Sequence, residues 1–198
     1  MKLSTGWIVA IVIIAIIIIG ILSGIGTYNK LVTKEETVNQ QWANVQNVYQ
    51  RRADLIPNLV ATVKGVANFE QQTLTNVIEA RAKATSVNIN PKNLDAASLQ
   101  KFQAAQDGLS SALSRLMVVV EKYPELKATQ NFTELQAQLE GTENRITVER
   151  RSFNEVAQAY NTYLRSFPTN MFAGMFGFQK KAYFEAQAGS EKPPKVEF

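Results

Sequence analysis

The chain has 198 residues, a formal net charge of +4, and neither cysteine nor histidine. These absences exclude disulfides, thiolate nucleophiles, zinc sites built from Cys and His, and acid–base catalysis by imidazole. Oxygen-ligand Mg²⁺ or Ca²⁺ sites and paired carboxylates pass this test, but no two carboxylates fall at one plausible cleft. We therefore expect no enzyme activity, cofactor, metal site or small-molecule substrate. Charged residues are only 19% of the chain and neither sign forms a long run, which argues against a nucleic-acid partner.

Residues 7–26 are predicted to form a transmembrane anchor behind a short N-terminus, residues 1–6. Every residue from Trp7 to Ile25 is apolar or glycine, apart from Ser23. Nineteen helical residues rise about 28 Å, close to the hydrocarbon thickness of a bilayer. A cleaved signal peptide would have a shorter apolar stretch of about 7–15 residues. We expect an uncleaved, single-pass anchor in the bacterial cytoplasmic (inner) membrane.

Two rules give opposite answers for the side of the membrane on which the remaining chain lies. The basic residues that follow the anchor, beginning with Lys30 and Lys34, favour a cytoplasmic domain. A short basic N-terminus (Lys2) before a long domain favours the other side, because long domains cross the membrane largely regardless of charge. We expect the long domain to lie outside the cytoplasm.

Gly20 and Gly24 form a G-x-x-x-G pair within the anchor. Small residues four apart let two membrane helices approach closely, so the pair is a candidate face for self-association. The alternative is that these glycines reflect only the high frequency of glycine in membrane helices.

Residues 28–186 are predicted to form an all-α, up-and-down bundle of long helices. Apolar residues recur at alternating steps of three and four, as in coiled coils, and no stretch has the alternation of a strand. Short linkers around Pro91 and Pro124 separate the periodic segments, which is typical of antiparallel helices. The three segments cover residues 42–84, 95–123 and 132–167.

Pro57 interrupts the first segment and leaves two architectures open. A kink would give three long helices and a chain end far from the membrane, whereas a full turn would give four helices and bring the chain end back to the bilayer. The periodicity continues through Pro57, so we expect the kink. A proline within a helix frees the carbonyl four residues earlier, and we expect Asp54 or Asn58 to satisfy the freed backbone groups.

Several stretches, taken together, resemble the LemA family of bacterial membrane proteins in colinear order across nearly the whole chain. The resemblance implies one N-terminal membrane helix, a helical up-and-down bundle and no assigned enzyme activity. It also implies links to magnetosome membranes in some relatives and to membrane proteolysis in others. The stretches are YNKLV at 28–32, QRRADLIPNLV at 50–60, LSSALSRLM at 109–117, EKYPELKA at 121–128, NFTELQAQLEGTENRI at 131–146, ERRSFNEVAQAYN at 149–161 and FPTNMFAGMFGFQKKAYFEA at 167–186.

Arg52 and Glu149 stand at core-type positions of the first and third apolar stripes. A charge in the core must be paired, because desolvation of an unpaired charge is very costly. We hypothesise that the two side chains form a buried ion pair that sets helix register. The alternative is that local twist turns both toward water.

The segment 167–186 combines aromatic and methionine side chains with a basic pair. One interpretation is a cap that folds back over the end of the bundle. The other is a docking element for a membrane or a partner, because aromatic rings and lysines suit the lipid headgroup region. The residues assigned to docking are Phe172, Met175, Phe176, Phe178, Lys180 and Lys181. Residues 187–198 are polar and proline-containing, and are predicted to be a disordered tail.

These features favour a non-enzymatic, membrane-anchored scaffold that self-associates and organises the bilayer or membrane proteins. The expected partners are the lipid bilayer, further copies of the chain as a homo-oligomer, and a membrane protein. The alternative function is a monomeric adaptor or regulator for a membrane protease.

Overall fold

A computed structural model describes residues 5–65 and 69–185 of the chain. Within these ranges the secondary structure is helical and contains no strand, which confirms the predicted all-α class. The predicted disordered tail, residues 187–198, lies outside the described residues. The helices are α1 (Thr5–Lys64), α2 (Gln71–Ser86), α3 (Ala96–Val120), α4 (Pro124–Lys127), α5 (Gln130–Arg165) and α6 (Thr169–Met175), with a short 3-10 turn at Pro91–Asn93.

One continuous helix, α1, contains both the apolar anchor and the first part of the bundle. Pro57 lies inside α1, so the helix does continue through the proline. The predicted segment 42–84 is nevertheless two helices, because the chain leaves α1 after Lys64 and α2 begins at Gln71. Gly65 follows directly on Lys64, and glycine is unfavourable within a helix. The bundle thus has four long helices rather than three, with its extra turn after Lys64 instead of at Pro57.

The carbonyl of Ala53, which would have bonded the N–H that Pro57 lacks, is satisfied from another helix. It accepts a 2.7 Å hydrogen bond from Nε of Arg81 on α2. Asp54 and Asn58, to which we assigned this role, are both exposed, and Asp54 accepts a hydrogen bond from Gln50 instead. That assignment is wrong, because the Ala53 carbonyl lies where α1 packs on α2 and Arg81 reaches it from there.

The long helices pack mainly as two antiparallel pairs, α1 with α5 and α2 with α3. Side chains between the pairs form two apolar clusters. The proximal core, nearer the anchor, contains Leu31, Val38, Trp42, Val45, Tyr49, Ile89, Leu94, Leu99, Phe102, Ile146, Phe153, Ala157, Tyr160, Leu164, Ala173 and Phe184. The distal core contains Ile56, Leu59, Val60, Val63, Phe69, Leu74, Val77, Ala84, Leu109, Leu116, Val120, Leu126, Phe132 and Leu139.

Trp42 is the centre of the proximal core. Its indole contacts the rings of Phe102, Phe153 and Phe184, with centroid separations of 5.2, 5.7 and 6.1 Å. Phe184 belongs to neither helix pair, since it lies beyond α6 near the end of the described chain. The α2 helix contributes to the distal core only, so residues after α6 fill the corresponding place beside the proximal core.

Residues 178–185, which we call the terminal segment, lie along α5 and are held by two asparagines of that helix. Asn161 accepts a hydrogen bond from the backbone N–H of Lys181 (3.0 Å) and donates one to the carbonyl of the same residue (2.8 Å). Asn154 makes the same two bonds to Phe184, at 2.8 and 2.9 Å. Each side-chain amide thus forms the two backbone hydrogen bonds that a neighbouring strand would form in a sheet.

The spacing of these asparagines matches the spacing of their partners. Asn154 and Asn161 are two helical turns apart, about 10.5 Å, and three extended residues span about 10 Å. The segment runs antiparallel to α5, because the earlier asparagine binds the later residue. At its end, the carbonyl of Glu185 accepts hydrogen bonds from Arg150 of α5 and Gln103 of α3.

Replacing Asn161 with alanine leaves a buried N–H and a buried C=O of Lys181 without partners. Each such group costs about 1–3 kcal/mol, so we expect Asn161→Ala to lower the free energy of unfolding by about 2–6 kcal/mol. Urea denaturation of the detergent-solubilised protein, followed by tryptophan fluorescence, measures this loss. Asn47→Ala, at an exposed position of α1, is the control and changes stability by less than about 0.5 kcal/mol. Equal effects of the two variants would contradict the clamping role.

Candidate functional site

The segment predicted to dock on a membrane or partner lies at the anchor end of the bundle. The α6 helix packs against both α1 and α5. A Cβ built on Gly24 would lie 3.4 Å from Cε1 of Phe172, so the ring rests on the glycine surface of the anchor. Tyr28, one turn further along α1, contacts the rings of Phe176 and Phe178 at 5.1 and 5.7 Å.

This position corrects the expectation that a helix continuing through Pro57 carries the chain end far from the membrane. The extra reversal between Lys64 and Gln71 adds a fourth long helix. With four antiparallel helices, α5 returns to the end of the bundle from which α1 started. The chain end therefore meets the anchor although Pro57 makes no turn.

We call residues 167–176, which comprise α6 and its two ends, the foot. Its outer surface is mainly apolar, with Asn170 as an exposed polar side chain: Phe167, Met171 and Met175 are 80, 66 and 70% exposed, and Phe176 is 39% exposed. Of the residues assigned to docking, Met175 and Phe176 belong to this exposed surface. Phe172 and Phe178 are half-buried by contacts within the chain.

Gly177 provides the turn from the foot into the terminal segment. Its φ is 77°, a left-handed conformation that residues with a side chain rarely adopt. The N–H of Phe178 bonds the carbonyl of Ala173 (3.0 Å), and the N–H of Gly177 bonds that of Gly174 (3.3 Å). These two bonds form a Schellman motif, the usual way in which glycine ends a helix.

The two lysines assigned to docking, Lys180 and Lys181, differ in exposure. Lys180 is exposed, but Lys181 is buried and its Nζ lies 2.8 Å from Oε1 of Glu35 on α1. Side chains alternate in an extended segment, so neighbouring residues point in opposite directions. Lys181 thus ties the terminal segment to α1, and its assignment to a docking surface is wrong.

Tyr160 adds a neutral tether beside this ion pair. Its hydroxyl donates a 2.9 Å hydrogen bond to the carbonyl of Gln179. Burial, together with the nearby carboxylate of Glu35, raises the pKa of Tyr160 well above its ordinary value. The hydroxyl consequently keeps its proton, and remains a donor, throughout the physiological pH range.

Arg52, predicted to carry a buried charge, is 2% exposed and lies at the boundary between the proximal and distal cores. Its Nη1 donates to Oε2 of Glu143 and to Oγ of Ser110, both at 2.8 Å. Its Nη2 donates to Oε1 of Gln106 at 2.8 Å and to the Gln106 carbonyl at 3.3 Å. Nε2 of Gln106 in turn donates to the Ala84 carbonyl of α2 at 3.2 Å. One guanidinium thus connects all four long helices.

The predicted partner of Arg52 is wrong: the acid is Glu143 and not Glu149. Glu149 accepts a 2.6 Å hydrogen bond from Gln41 instead. The two glutamates are six residues apart, about 9 Å along α5. The helices α1 and α5 are antiparallel, so a later residue of α1 lies beside an earlier residue of α5. Arg52 therefore meets Glu143, and Gln41 meets Glu149.

The two glycines predicted to mediate self-association have different surroundings. Gly24 is covered by Phe172 of the same chain, whereas Gly20 has nothing within 4 Å of the position of a Cβ. Part of the proposed face is thus occupied within one chain. Gly20 remains on the exposed surface of the anchor.

The described chain contains one helix that is long and apolar enough to cross a membrane. The large apolar side chains from Trp7 to Ile25 are each at least half exposed, unlike those of a core helix in a water-soluble protein. Across residues 5–65 and 69–185, no group of three or more Asp, Glu, Cys or His side chains could hold a metal ion. The features define a membrane-associated, all-α protein whose apolar first helix continues into a bundle.

A family model described as LemA family matches residues 41–198. The chain belongs to the LemA family, which confirms the resemblance drawn from its sequence.

Named relatives cover most of the chain at low identity. Magnetosome protein MamQ 2 of Paramagnetospirillum magneticum is 26% identical over 183 residues, which are 84% of this chain and 67% of the relative. Magnetosome protein MamQ of Magnetospirillum gryphiswaldense is 25% identical over the same shares. Protein LemA of Metamycoplasma hominis is 24% identical over 162 residues, 82% of this chain and 70% of the relative.

A double-mutant cycle tests the pairing of Arg52. We expect Arg52→Met and Glu143→Gln to show a coupling of about 1 kcal/mol in the free energy of unfolding, a modest value because Glu143 is half exposed. Arg52→Met and Glu149→Gln should be additive to within about 0.5 kcal/mol. Coupling to Glu149 in place of Glu143 would show that the helices pack in a different register.

Proposed function

We propose that this protein is a non-enzymatic, membrane-anchored scaffold that self-associates and organises the bilayer or membrane proteins around it. The observation that carries the proposal is the continuity of α1, which is 60 residues long and has no linker between anchor and bundle. A bundle that shares a helix with its anchor is held at a fixed height and orientation above the membrane. A scaffold can use this rigidity to hold partners at a set distance from the bilayer.

Two further observations support the proposal. Gly20 leaves a smooth patch on the exposed surface of the anchor, and small residues let membrane helices approach closely. Relatives named as magnetosome proteins agree with a role in organising a membrane. Self-association is assigned to the Gly20 side of the anchor, because Gly24 is already covered.

The alternative function, a monomeric adaptor or regulator for a membrane protease, is supported by the contact between Phe172 and Gly24. Because Phe172 packs on Gly24, only Gly20 of the glycine pair is open to a second copy. An adaptor of this kind would be monomeric alone and would enlarge only with its partner.

The native mass of the full chain in mild detergent separates the two functions. For the scaffold we expect a discrete oligomer that Gly20→Ile converts largely to monomer, since a branched side chain prevents close approach of the anchors. Gly26→Ile is the matched control, because Gly26 is equally open but lies on another side of the helix. A monomeric native chain would refute the scaffold and favour the adaptor.

We further propose that the anchor lies in the bacterial inner membrane with the bundle outside the cytoplasm. The domain after the anchor is far longer than the loops of up to about 60 residues in which Lys and Arg decide orientation. The basic residues near the foot therefore do not require a cytoplasmic bundle.

Single cysteines in this cysteine-free chain test the orientation. Val118 and Val148 are 68 and 63% exposed on the bundle. We expect Val118→Cys and Val148→Cys to react with a membrane-impermeant maleimide in intact spheroplasts as completely as after lysis. Reaction only after lysis would place the bundle in the cytoplasm.

A further inference from the structure

We propose that the foot, residues 167–176, is inserted into the interface of the same bilayer leaflet from which α1 emerges. The protein would then hold its membrane at two places, through the anchor and through a short apolar helix beside it. This inference rests on the anchor of the proposed function lying in a bilayer, and it does not depend on self-association.

The depth of the foot follows from its contact with the anchor. Gly24 lies inside the predicted span, residues 7–26, and the ring of Phe172 packs against it. Phe172 therefore sits at the level of the last membrane turn of α1. Phe176 and Phe178 pack on Tyr28, which is one helical turn further from the hydrocarbon. Aromatic rings at this level are typical of the boundary between hydrocarbon and headgroups.

Apart from the exposed Asn170, the distribution of side chains on α6 is the reverse of that of a helix facing water. Thr169 and Ala173, on its inner side, are small and buried. Met171 and Met175 lie four residues apart on its outer side, and both are largely exposed. A water-facing helix buries its large apolar residues and exposes polar ones. The outer side of α6 therefore suits an apolar environment.

Around the foot, cations outnumber acids: Glu35 is paired with Lys181, and Glu36 is the nearby exposed acid. Residues 1–34 and 156–184, the two stretches that meet at the foot, contain no Asp or Glu. They contribute the exposed cations Lys30, Arg165 and Lys180. Carboxylates are costly at a lipid surface, whereas Lys and Arg are attracted to anionic phosphates. The charge distribution therefore fits a membrane that contains anionic lipid.

Lipid is the occupant that the structure favours over a second protein chain. The apolar surface of the foot is continuous with that of the anchor, where Ile21, Leu22 and Ile25 are more than half exposed. A bilayer that covers these anchor residues also reaches Phe172 and its neighbours.

Depth measurements on single labelled cysteines test the insertion. The full-length variants Met171→Cys and Met175→Cys carry an environment-sensitive fluorophore in vesicles of phosphatidylethanolamine and phosphatidylglycerol. We expect blue-shifted emission at both sites, and quenching by shallow spin-labelled lipid at least threefold greater than at the matched control Val148→Cys. Val148 is equally exposed, at 63%, but is more than four helical turns along α5 from the foot.

Two results would overturn the proposal. Water-like emission at both foot positions would show that the foot lies outside the bilayer. Blue-shifted emission without quenching by lipid would show that protein, such as a second copy, covers it. Either result is distinguishable from failure of the scaffold function, because the native mass of the full chain is measured independently of these labels.

Discussion

A guanidinium in the middle of a helical core must find acceptors, and Arg52 finds them on neighbouring helices. Its partners are side chains and one carbonyl of α3, and the Glu143 carboxylate of α5; Gln106 relays the contact to α2. A slip of one turn along α1 or α3 would break several charged hydrogen bonds at once, a slip along α5 would break the ion pair, and a slip along α2 would break the bond from Gln106. Apolar packing tolerates such slips more easily, so the polar layer is where the relative heights of the four helices are set.

The fixed register has consequences at the anchor end of the molecule. Because α5 is held at one height beside α1, its asparagines meet the terminal segment at matching intervals, and α6 arrives beside the last membrane turn. Lys181 and Glu35 then join the terminal segment directly to α1. The end of the described chain and the part of α1 that follows the anchor thus form one assembly at the anchor end of the bundle. In the proposed function, this assembly fixes the orientation of the bundle relative to the bilayer.

Some of this organisation is visible in the sequence, and the rest depends on information that periodicity does not contain. The apolar run at 7–26, the helices ended by Pro124 and Pro168, and the burial of Arg52 follow from local patterns. The reversal after Lys64 is missed because the apolar spacing stays in phase across it. Glu143 is missed because it flanks the stripe instead of occupying it, and a long side chain can still reach the core. Asn154, Asn161 and Arg81 look like surface residues, since their partners are backbone groups brought close only by the tertiary fold.

The return of the chain end to its own anchor is tested most directly by a distance between two spin labels, at Asn29→Cys and Met175→Cys, on the full-length protein in a bilayer. The contact between Phe172 and Gly24 places these labels within about two helix diameters, roughly 20 Å, of each other. A bundle of three long helices, in which the first helix runs on to Ala84, would separate them by nearly the length of that helix beyond Ile25, about 88 Å for 59 residue rises. We expect the short distance, and the long one would contradict the four-helix register and the placement of the foot.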